Sequence, residues 1–168
     1  MKDTTKNLVL AAMFAALTFV LTAYFFHIPV GVNGGYIHFG DSMIYLAASI
    51  LPLPYAMAAG AIGAGLSDLM SGGVMWVIPT VIIKALMAAM FTGKQDRLLC
   101  KHNAWGLLPA AIICLVGYYL AEWMFTGNPW VGLPSAPLTL IQSAGSSVLY
   151  VLLALALDKA GLKQRIAA

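Results

Sequence analysis

The chain predicts an all-α membrane protein, a compact bundle of six transmembrane helices with both termini cytoplasmic, and three observations carry that expectation. Of its 168 residues 61% are hydrophobic and only 9% are charged, with a mean hydropathy of +0.88, whereas a soluble domain of this size carries far more charged surface. Apolar runs recur along the whole length, and at about 20 residues per span there is room for roughly six and for no separate soluble domain. The third observation is where the basic residues fall. With six spans, Lys2 and Lys6, then Lys94, Arg97 and Lys101, then Lys159, Lys163 and Arg165 share one side, which the positive-inside rule makes cytoplasmic; with five, the last two clusters move outside. Residues 1–168 therefore read as a single domain, and the net charge of +3 reflects topology rather than an anionic partner. No nucleic-acid binding is expected.

The first span runs from about Leu8 to Phe26. It follows Lys2 and Lys6 as a signal peptide would, but its apolar run is long enough to cross and is read as an uncleaved helix. Small residues stand on it at helical spacing, Ala11 with Ala15 and Ala12 with Ala16, so a second helix can approach that face closely. The second span, about Asp41 to Leu51, is short and stops at Pro52-Leu53-Pro54; the charge placement argues that it crosses. The third, about Tyr55 to Met70, carries two small-residue ridges, Ala56-Gly60-Ala64 and Ala59-Gly63-Ser67, which predict a tightly packed interior helix ending at Ser71-Gly72-Gly73. A fourth, about Val74 to Phe91, is interrupted by Pro79 and leads into a polar loop, Thr92 to Asn103. The fifth covers about Ala104 to Phe125 and the sixth about Pro137 to Leu157, joined by an outer loop, Thr126 to Ala136, with Trp130 and two prolines. Cys100 lies in a basic loop and Cys114 in an apolar run, so no disulfide is expected.

Between the first two spans lies His27 to Asp41, HIPVGVNGGYIHFGD, the longest polar interruption on the outer side. Gly31, Gly34 and Gly35 let its backbone approach a ligand closely. Asn33, Tyr36, His38 and Asp41 supply donors, acceptors and rings, with no Lys or Arg among them. Asp41 reads as the cap of the second helix.

Ionisable groups within spans are costly and mark functional positions. Lys84 falls about ten residues into the fourth span, roughly 15 Å below its outer end. From there it can reach Asp68, Glu122 or a ligand; a buried ion pair that fixes helix packing is the plainer alternative. Asp68 and Glu122 close the outer ends of the third and fifth helices, where nearness to water is alternative enough. On the fifth helix Tyr118 and Glu122, and likewise Tyr119 and Trp123, share a face. Thr139, Gln142 and Ser146 form a polar stripe on the sixth, which in a bundle faces inward. Trp76 belongs with these as an outer-half ring, although Trp and Tyr also serve as interfacial anchors. The substrate-binding candidates are Asn33, Tyr36, His38, Asp68, Trp76, Lys84, Tyr118, Glu122, Gln142 and Ser146, a set suited to a planar polar small molecule.

No phosphate-binding G-x-x-x-x-G-K-[ST], no H-E-x-x-H or paired cysteines, and no G-x-S-x-G occurs, so neither ATP, a metal, a cofactor nor a catalytic residue is expected.

The alanine-rich first helix (Ala11, Ala12, Ala15, Ala16) and the segment Gly34-Gly35-Tyr36-Ile37-His38-Phe39-Gly40-Asp41 give the chain its resemblance: it resembles the substrate-binding S component of energy-coupling factor vitamin transporters, most like the hydroxymethylpyrimidine and pyridoxine type. The resemblance implies a subunit of a bacterial cytoplasmic-membrane ABC importer that captures a heteroaromatic vitamin or precursor. Its partners would be a transmembrane coupling subunit, which the alanine motif docks on, and two ATPase subunits. A lysine at position 84 matches no motif of that family. A small intramembrane enzyme or accessory subunit acting on lipid or isoprenoid substrates is the alternative; it would show turnover, where a binding subunit retains its ligand unchanged.

Overall fold

A computed structural model describes residues 2–25, 28–29 and 36–167. Among them are seven helices: α1 (Lys2–Ala23), α2 (Asp41–Ile50), α3 (Leu53–Met70), α4 (Val77–Ala88), α5 (Lys101–Thr126), α6 (Ala136–Lys159) and α7 (Leu162–Ala167). The strand pairing among the described residues is one short antiparallel contact between β1 (Ile28–Pro29) and β2 (Tyr36–Ile37), so the all-α class holds. Three helices, α1, α5 and α6, are long and apolar enough to cross a membrane.

Burial is arranged for lipid rather than water. Large aliphatic side chains such as Val9, Ile62, Ile78, Ile82, Leu108 and Leu152 are exposed, while Thr18, Ser49, Ser67, Thr80, Asn103 and Ser146 are buried. Polar groups that cannot be satisfied by hydrocarbon turn inward and the apolar ones face out.

Helix directions follow from paired positions. Ile83 of α4 sits against Gly117 of α5, and Met90, just past the end of α4, against Gly106, so the two helices run antiparallel. By contrast, α2 and α6 run parallel: Asp41 pairs with Gln142 and, eight residues on in each, Ser49 pairs with Tyr150. Because α2 has 10 residues, it is only about 15 Å long. It occupies the lower part of the bundle and begins part-way down it, which is why its sequence looks too short for a span.

The expectation for α3 is met: Ala56, Ala59, Gly60, Gly63, Ala64 and Ser67 are all buried. Gly63 lies against the Ala15 carbonyl and Thr18 of α1, and a Cβ there would come 2.8 Å from the Thr18 Cβ. Only glycine allows the two backbones this close.

Several boundaries differ from the sequence reading. α1 starts at Lys2 because hydropathy marks the lipid-facing part of a helix, whereas Asp3 in its first turn favours helix independently of hydropathy. Pro79 does not interrupt the fourth helix. A 3-10 turn, Val74–Trp76, precedes α4, and Pro79 falls in the first turn of α4, where a missing N–H leaves no bond unmade. α4 ends at Ala88, and the connection from there to α5 is folded inward rather than free: Phe91 and Leu98 are buried. Asn103 holds that loop, accepting from the Thr92 N–H at 2.8 Å and donating to the Leu98 carbonyl at 2.9 Å and to Ser49 Oγ at 3.1 Å. Asp158 accepts from the Leu98 and Leu99 N–H groups, and Lys163 of α7 donates to the Ser49 carbonyl. Above this network Tyr45 stacks on Phe91 at 4.7 Å, with Tyr150 edge-on to both.

Candidate ligand site

Polar side chains from four helices converge where α2 begins. Lys84 Nζ lies 2.7 Å from Asp41 Oδ1, and neither side chain is exposed. The other carboxylate oxygen, Oδ2, accepts from Gln142 Nε2 at 3.1 Å. On α5, Cys114 Sγ is 3.8 Å from the ammonium, and the Tyr118 ring centroid is 5.2 Å from it, a cation–π contact. Asp41 also stands at the positive end of the α2 dipole, which adds to what holds a carboxylate here.

The face of α4 that carries Lys84 explains the level above. Thr80 and Lys84 are spaced by four on one side of α4, and Trp76, in the 3-10 turn just before it, meets the same Tyr118. Thr80 Oγ1 is 3.1 Å from the Tyr118 hydroxyl, and the Trp76 ring meets Tyr118 edge-to-face at 6.0 Å and Phe125 at 5.4 Å. Lys84, seven residues past Val77, is thus about 10 Å below the start of α4. It forms a charged floor beneath two aromatic rings.

Asp41 does not cap α2. Gly40, the cap position, has helical backbone angles, and the Asp41 side chain makes no capping bond; the carboxylate is drawn instead to the one buried ammonium within reach. Lys84 accordingly pairs with Asp41 and not with Asp68 or Glu122. The ion-pair alternative is the arrangement found, with a partner the sequence did not suggest.

Of the candidates, Trp76, Lys84, Tyr118 and Gln142 come together, with Ser146 buried one turn from Gln142 on α6. Ser146 Oγ has no hydrogen-bond partner among the described residues. Asp68 is buried near the end of α3 and within electrostatic range of Tyr118. His38 is buried just before α2; its Nδ1 accepts from the Gly40 N–H at 3.2 Å. Glu122 is turned to the α5–α6 connection, where Oε1 accepts from Ser135 Oγ at 2.9 Å. Asn33 and the side chain of Tyr36 lie outside the described residues. The alanines divide: Ala11 is buried and Ala15 half-buried toward α3, while Ala12 and Ala16 are exposed. Asp41, Thr80 and Cys114 belong to the cluster without having been candidates. Thr80 and Cys114 each stand four residues before one, Lys84 and Tyr118, and that helical spacing was the available signal.

An integral membrane bundle with a charged, ring-capped polar cluster inside is the class this chain falls in. A family model described as ECF-type riboflavin transporter, S component, matches residues 2–159, and the chain belongs to that family. It is a substrate-binding membrane subunit of an ECF-type transporter and not an enzyme. No curated protein and no solved structure is significantly similar to it.

Proposed function

We propose that residues 1–168 form one six-span domain in the bacterial cytoplasmic membrane, with both termini cytoplasmic, that captures a small heteroaromatic vitamin or precursor from outside. The observation that carries this reading is the Asp41–Lys84–Gln142 cluster lying beneath the rings of Tyr118 and Trp76. Rings give a planar ligand stacking surfaces, and a few fixed polar groups orient it. His38, Asp68, Glu122 and Ser146, with Asn33 and Tyr36 of the first loop, complete the proposed set. Uptake then needs a transmembrane coupling subunit and two ATPases, since the chain has no nucleotide-binding motif of its own.

The segment Gly34 to Asp41 favours hydroxymethylpyrimidine or a vitamin B6 form. Riboflavin is the second reading, favoured by the description of the matching family. Mass spectrometry of small molecules released from the purified, denatured subunit tests both. A pyrimidine or pyridine supports the first, riboflavin supports the second, and a chemically altered lipid or isoprenoid would overturn both.

A further inference from the structure

We infer that Asp41 sets the charge selectivity of the site: by neutralising Lys84 it makes the site accept an uncharged or cationic heterocycle and turn away anionic relatives, such as carboxylates and phosphate esters. The inference rests on the ligand-binding reading above and goes beyond it in naming which members of a vitamin family are refused.

A lone buried lysine beneath two rings would be an anion receptor. Here its ammonium already holds the Asp41 carboxylate at 2.7 Å, and the rest of its surroundings are soft, a thiol at 3.8 Å and a ring face at 5.2 Å. Gln142 fixes the second carboxylate oxygen from α6, so Asp41 is tied to two helices and does not swing aside for a competing anion. Charges several ångströms apart still interact strongly away from water, so a ligand resting on Tyr118 senses the net charge of the pair without touching it.

Charge placement over the whole chain points the same way. Asp41, Asp68 and Glu122 lie in this half of the bundle, and Lys84 is its one lysine or arginine; the other eight stand at the opposite end or beside it. Residues 26–35 contain neither Lys nor Arg. Among the described residues of this half, His38, buried just before α2, is the histidine. An anionic ligand would therefore approach a part of the bundle that carries three carboxylates, and removing the Asp41 charge would free the Lys84 ammonium to receive it.

The test measures binding to the purified full-length subunit by titration calorimetry, with three neutral probes and their anionic counterparts: pyridoxine and pyridoxic acid, hydroxymethylpyrimidine and its phosphate, riboflavin and its phosphate. The wild type is expected to bind one neutral probe at least roughly tenfold more tightly than its counterpart. Asp41→Asn should collapse or invert that ratio, Asp41→Glu should keep it, and Asp41→Asn with Lys84→Gln should restore it. A variant whose role was only structural would weaken both members of a pair alike. If Asp41→Asn does not fold, Gln142→Leu decides: it keeps both charges paired but frees the second carboxylate oxygen, so an anion can displace Asp41 from Lys84 and the ratio should narrow. Equal binding of a neutral probe and its anion by the wild type, or one ratio shared by all folded variants, overturns the inference while leaving the vitamin-binding reading intact. If none of the three neutral probes binds, that reading falls and the inference falls with it.

Discussion

Asp41 and Lys84 meet across α2 and α4 with no exposed surface on either side chain, so each is tolerable only because of the other. Removing one partner of a buried pair leaves an uncompensated charge, at a cost of about 3–5 kcal/mol, while replacing both by apolar residues of similar volume is often close to neutral. Asp41→Leu and Lys84→Met should each lower the thermal unfolding midpoint in detergent markedly, and the double variant should recover most of the loss. Additive single effects would show that the two side chains act independently.

Tyr118 and Trp76 are expected to act through their rings. Trp76→Ala should weaken ligand binding by about 1–3 kcal/mol, the range of one stacking contact. Tyr118→Phe keeps the ring and loses the hydrogen bond to Thr80, worth about 1 kcal/mol. A titration in which Tyr118→Phe weakens binding as much as Trp76→Ala would assign the role to the hydroxyl instead.

The opposite end of the bundle should affect stability and not affinity. Asn103 is fully buried and bonds the Thr92 N–H, the Leu98 carbonyl and Ser49 Oγ. Asn103→Leu strands those groups, each at about 1–3 kcal/mol. It should cost several degrees of thermal stability, with ligand affinity in the surviving folded protein changed by less than about twofold.

How much of this was legible beforehand depended on whether the signal was local. The small-residue ridges of α3 and the polar stripe of α6 are written in helical spacing; the ridges are buried throughout, and on α6 Gln142 and Ser146 are buried while Thr139, near the start of the helix, is half-buried. The partner of Lys84 was not legible. Asp41 is 43 positions away in the chain, and its depth depends on α2 starting inside the bundle, which no periodicity encodes. Glu122 shares a helical face with Tyr118, yet Ser135 takes its carboxylate; spacing fixes the face of a helix but not which neighbour a side chain chooses. Asn103 read as the end of a polar loop because nothing in its vicinity announces three partners on separate segments.

For the proposed docking of α1 on a coupling subunit, the structure separates two positions that sequence treats alike. Ala11, Phe14 and Thr18 are buried on one side of α1, and the Ala15 carbonyl closes against Gly63 of α3. Ala12 and Ala16 stand on the exposed side with Val9, Met13 and Val20. Lipid tails are as apolar as leucine, so a partner helix gains most where small residues let backbones approach. The Ala12–Ala16 pair offers that outward, whereas Ala15 has its close approach within the subunit. Ala12→Trp should therefore abolish assembly and uptake while the solitary subunit binds ligand as before, because the polar cluster of the proposed site draws its side chains from α2, α4, α5 and α6 and none from α1. Ala15→Trp should instead prise α1 from α3 and lower thermal stability, with any loss of assembly following from misfolding. Pull-down of the coupling subunit, read beside the unfolding midpoint of each variant, distinguishes them; a destabilised Ala12→Trp would place the docking surface elsewhere.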